Sequence, residues 1–166
     1  SNGTETNPII FNGYSVAGAY KMVFFKNADL ATSSFKYSNF TGPQKAMQFA
    51  EETNENQDSP KNRNTLIIEN SSFVNTEIIH GGYHSGINVL IKNSEIQNCN
   101  INWTSPGEEY FNFDNCNISS SIFTFGKYSQ CQILNSKVTS TEFRSDYTYY
   151  VRISANNTKF YDSKFL

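Results

Sequence analysis

The sequence predicts an all-β solenoid, a chain that winds on itself in short coils. Three observations carry that expectation. The first is a five-residue period. From Phe113 to Ile153, eight of nine positions at that step are large and apolar (Phe113, Ile118, Phe123, Tyr128, Ile133, Val138, Phe143, Ile153), and Thr148 is the exception. The period fits neither a helix at 3.6 nor a strand at 2. It fits a coil that lays down one short face every five residues. The second observation is a small residue two places before the later apolar anchors. Ala28, Ser33, Ser38, Ser71, Thr76, Ser94, Cys99, Cys116, Ser121, Ser136, Thr141, Thr158 and Ser163 all obey it. Residues two apart on an extended segment face the same way, so anchor and small residue both point inward. The third is an asparagine three places before the second anchor of each group: Asn27, Asn70, Asn93, Asn115, Asn135 and Asn157. Asparagine tolerates left-handed backbone, and stacked amides can bond along the stack, so these six read as a structural corner ladder.

Taken in order, residues 1–22 read as an N-terminal tail and cap. They begin polar (SNGTETNP) and become apolar but irregular, with Gly13 and Gly18. The solenoid spans 23–166, in groups anchored at Phe25, Leu30, Phe35 and Phe40, then at Ile68, Ile91, Phe113, Ile133 and Ile153 with their followers. Successive corner asparagines are 43, 23, 22, 20 and 22 residues apart, so one coil takes about 20–23 residues. The long first gap is one coil plus an insertion at 41–65. Within it, PQKAMQFAEE predicts a short helix, with Pro43 in a first turn and Ala46, Met47, Phe49 and Ala50 as its apolar stripe. TNENQDSPKNRN then reads as a polar loop. About six coils at ~4.8 Å spacing would make a rod on the order of 30 Å long.

ADLATSSFKYSNFTG at 28–42 and CQILNSKVTSTEFRS at 131–145 follow the order small, polar, large apolar, polar, polar. That pattern resembles the pentapeptide-repeat family of right-handed parallel β-helices, and the resemblance covers most of 23–166. It departs from the family where Ile or Val replaces Leu or Phe, and where coils exceed four pentads. The broader right-handed parallel β-helix is the alternative fold. The resemblance implies a bacterial source. Phrases such as FNFDNCNISS and NTKFYDSKF are similar in style to the β-helix arm of type III secreted ubiquitin-ligase effectors. That likeness implies a substrate-binding arm, located in the bacterial cytoplasm or delivered into a host cell.

Charge narrows the function classes. With 13 basic and 15 acidic residues the net charge is −2, which offers no electrostatic footprint for nucleic acid. No apolar run reaches the length of a membrane span. Cys99, Cys116 and Cys131 read as small inward residues, since their spacings of 17 and 15 match no metal-ligand pattern. His80 and His84 sit in a glycine-rich linker, IIHGGYHSG, unsuited to a helical metal pair. The acidic residues are scattered, and Glu108-Glu109 are adjacent and so point apart on an extended chain. The reading is therefore not an enzyme, with no catalytic residues, no metal and no cofactor.

What remains is surface. The linkers 79–90, 102–112, 124–132 and 144–152 stack on one side in a solenoid. They carry Tyr83, Trp103, Tyr110, Phe125, Tyr128, Tyr147, Tyr149 and Tyr150, which read as an exposed aromatic binding ridge. The leading expectation is a non-enzymatic protein-binding or scaffolding module, with a protein partner and neither nucleic acid nor membrane as ligand. The chain closes on the anchor Phe165 without a polar cap, which fits either an excised fragment of a longer protein or a homodimer pairing through the C-terminal coil. Two alternatives stand beside it. A DNA-mimic pentapeptide protein acting on a type II topoisomerase would need a dense acidic surface. A carbohydrate-binding or carbohydrate-active β-helix would use the aromatic linkers.

Overall fold

Alternation of apolar and polar residues lays down each strand, and a residue in left-handed backbone turns the chain onto the next. The computed structural model describes residues 2–12, 21–26, 34–42, 45–50, 65–80, 88–103, 109–126, 129–145 and 151–166. Strands β1 (Ile9–Asn12), β2 (Lys21–Lys26), β3 (Ser34–Lys36), β4 (Ser38–Thr41) and β5 (Lys45–Ala50) lead in. The regular coils follow. One is β6 (Thr65–Glu69), β7 (Ser72–Val74) and β8 (Glu77–His80), and the next is β9 (Asn88–Lys92), β10 (Glu95–Gln97) and β11 (Asn100–Trp103). A third is β12 (Glu109–Asp114), β13 (Asn117–Ser119) and β14 (Ile122–Phe125). A fourth is β15 (Ser129–Leu134), β16 (Lys137–Thr139) and β17 (Glu142–Ser145). Strands β18 (Arg152–Asn156), β19 (Lys159–Tyr161) and β20 (Lys164–Phe165) end the stack.

Every third strand pairs in parallel. A first sheet runs β3-β6-β9-β12-β15-β18, a second β1-β4-β7-β10-β13-β16-β19, and a third β2-β5-β8-β11-β14-β17-β20. The fold is a right-handed-type parallel β-helix. The regular repeat comprises about four coils rather than the six expected. The end coils extend the sheets but depart from the pattern. At the C-terminal end Ala155, not Ile153, takes the rung of Ile133, while Ile153 pairs with Cys131.

Large side chains fill the tube in columns. In the second sheet Phe11, Phe40 and Phe73 stack with centroids 4.5 and 4.8 Å apart. In the third, Phe123, Phe143 and Phe165 stack at 5.0 and 4.9 Å. Ile68, Ile91, Phe113 and Ile133 line the first sheet and are fully buried. Outside that sheet, Lys36, Glu69, Lys92 and Asp114 occupy successive rungs with alternating charge, and Lys36 Nζ lies 2.9 Å from the Glu69 carboxylate.

Two expectations near the N-terminus are corrected. PQKAMQFAEE does not start a helix: Lys45–Ala50 is strand β5, with Met47 buried in register with Ile78. Parallel neighbours on both sides satisfy its backbone, which a short isolated helix does not match. Lys45 to Met47 shifts register against β8, so Ala46 is the extra residue of a bulge and is buried. The third anchor of that coil is therefore Met47, after Phe35 and Phe40, and the coil is not the group beginning at Phe25. Residues 51–64 lie outside the described residues. The polar start of the chain is also tied down. Gly3 N–H donates to Lys36 O (2.9 Å), Ile9 N–H donates to Tyr37 O (2.9 Å), and β1 adds a strand to the second sheet.

The corners explain the asparagines. Asn70, Asn93, Asn115, Asn135 and Asn157 all have φ between 49 and 54°. Asn115 Nδ2 donates to Asn93 Oδ1, and Asn157 Nδ2 to Asn135 Oδ1, each at 2.9 Å. Asn135 instead donates to Asp114 Oδ1 at 2.9 Å. Asn27 lies outside the described residues, and Tyr37 (φ 49°) holds the corresponding corner of the β3–β5 coil. A second corner column, absent from the sequence reading, runs Asn75, Asn98, Ser120, Ser140 and Asp162, all at positive φ. Ser120 and Ser140 are the least suited to that backbone. Ser120→Asn and Ser140→Asn are each expected to stabilise the fold by about 0.5–1 kcal/mol, read as a higher urea midpoint with unchanged slope. A lower midpoint in both would show that the side-chain environment, not the backbone, sets these positions.

Candidate functional site

Strand ends absorb much of the linkers in which an aromatic ridge was expected. Trp103 closes β11 and Phe125 closes β14, and the two share a rung. Both are buried, so the expected exposure of these two residues is corrected. An inward position on a strand of one more residue places each ring in the wall. Trp103 packs edge-on to Phe111 at 4.8 Å, and Phe125 lies 6.2 Å from Phe123. Tyr110 stands half-buried on the outside of β12, its hydroxyl accepting from Gln130 Nε2 at 3.2 Å. Tyr83, Tyr128, Tyr147, Tyr149 and Tyr150 lie outside the described residues, as does His84. The ridge is thus not brought together among the described residues.

The cysteines are interior. Cys99 and Cys116 occupy small corner slots, while Cys131 sits in the wall on the rung of Phe111. Burial pushes the Cys99 and Cys116 thiols up to about 11, and the Cys131 thiol higher still. Neutral buried thiols are poor nucleophiles. Among the described residues, no three His, Cys, Asp or Glu side chains are grouped so as to hold a metal ion.

Among the described residues, a groove of about 690 Å³ runs along the corner between the first and second sheets. Its two walls come from the repeat itself. One is the corner column, Tyr37, Asn70, Asn93 and Asn115, thrown outward by left-handed backbone. The other stands two residues later on the second sheet, where Asn39, Ser72, Glu95 and Asn117 share one outward column. Between the walls, Ser71 and Ser94 turn inward. Ser71 Oγ donates to Glu69 O (2.8 Å) and accepts from Ser38 N–H (3.0 Å), so the floor is already bonded. Glu5, within the turn at Thr4–Asn7, and Pro8, which follows it, close one end. Among the described residues, no Lys or Arg lines the groove.

The opposite corner has a smaller groove, about 390 Å³, whose polar groups pair with each other. Asn98 Nδ2 donates to Asn75 Oδ1 (2.7 Å), and Asn100 Nδ2 to Glu77 Oε1 (3.4 Å). Sequence reading missed both grooves. The signal was present: the residue two places after each corner asparagine is polar in every coil, and only the register shows that these residues face a common channel. No family profile matches the chain, and no curated protein or solved structure matches it.

Proposed function

We propose that this chain is a non-enzymatic protein-binding module that docks through its C-terminal coil, with a second copy of the chain as the occupant. The observation that carries the reading is where apolar surface stays open. Among the described residues, the widely exposed large apolar side chains are Ile10 near one end and Tyr161 (46%), Phe165 (55%) and Leu166 (70%) at the other. Phe165 continues the stack of Phe143 and meets Phe160 edge-on at 5.5 Å. Strands β18, β19 and β20 stand last in the three sheets, the position at which a further strand adds to a parallel stack. A second copy presents the same three-sided outline, and a two-fold joint would make the patch self-complementary.

Light scattering across a concentration series tests this. The wild type is expected to dimerise, and Phe165→Asp with Leu166→Asp to remain monomeric with unchanged circular dichroism. Arg152, Lys159 and Lys164 lie in the last coil with Asp162, so association should tighten as salt screens like charges across the joint. A wild type that stays monomeric at every concentration and salt would exclude the homodimer.

A further inference from the structure

We draw no further inference here: the strongest candidate, the buried amide oxygens Gln48 Oε1 and Asn102 Oδ1 that flank Ile79 on the outer face of the third sheet without a hydrogen-bond partner, carries nothing because nothing among the described residues shows what covers it.

Discussion

Trp103→Ala is expected to destabilise the fold by about 3–5 kcal/mol, not to strip a binding residue from an intact surface. The side chain is the largest of the fully buried ones. It fills the junction of the third sheet with the first, packed against Phe111, with Phe125 on the adjoining rung. Neighbouring rungs are fixed by parallel backbone pairing on both sides, so the wall cannot collapse into the space left behind. Urea unfolding followed by far-ultraviolet circular dichroism measures the loss. This is the sole tryptophan, so wild-type emission should also be blue-shifted and move red on unfolding. A Trp103→Ala protein with wild-type stability would place the ring outside the wall and restore the ridge. Tyr110→Ala is the comparison: its half-buried position on the outside of β12 should make the loss much smaller.

The contrast between Trp103 and Ile118 shows how far the sequence could be read. Ile118 sits in a five-residue unit whose small residue, corner and anchor all agree, and its burial follows from counting. Trp103 lies beyond the third anchor, where the count stops. Whether the strand there runs one residue further decides between wall and surface, and backbone pairing across coils settles that, not local pattern. Met47 teaches the same lesson. PQKAMQFAEE satisfies a helical stripe over a few residues, yet its neighbours Val23 and Ile78 make Met47 a rung. The second corner column was hidden for another reason. Asn75 and Asn98 carry the expected residue, but Ser120, Ser140 and Asp162 do not, so composition broke the column while geometry kept it. The groove was legible only as two columns of polar residues, and exposed polar residues are the default in any solenoid. Its concavity came from the corner, which a linear reading does not contain.

Ser136→Ala is expected to cost about 1–3 kcal/mol, a large effect for the loss of one oxygen. The small slots read from sequence only as inward-facing positions, and they are also the bonds that join coils. Ser136 Oγ donates to Leu134 O and accepts from Cys116 N–H of the preceding coil at 3.0 Å. Ser121 does the same at the other corner, donating to Ser119 O (2.7 Å) and accepting from Cys99 N–H (3.1 Å). Both amides are buried, so alanine would leave a donor without water or partner. Thr should be tolerated, since Thr158 takes the same role, accepting from Ser136 N–H at 3.3 Å and donating to Asn156 O at 3.1 Å. The expected order of stability at position 136 is therefore Ser, then Thr, then Ala. Ser121→Ala should add nearly independently, because the two hydroxyls serve different corners and share no partner. Hydrogen exchange separates this account from one of size alone. If the hydroxyl carries the effect, the Cys116 amide should lose protection in Ser136→Ala before its neighbours do. Alanine at wild-type stability, with that amide still protected, would return the slot to a purely steric role.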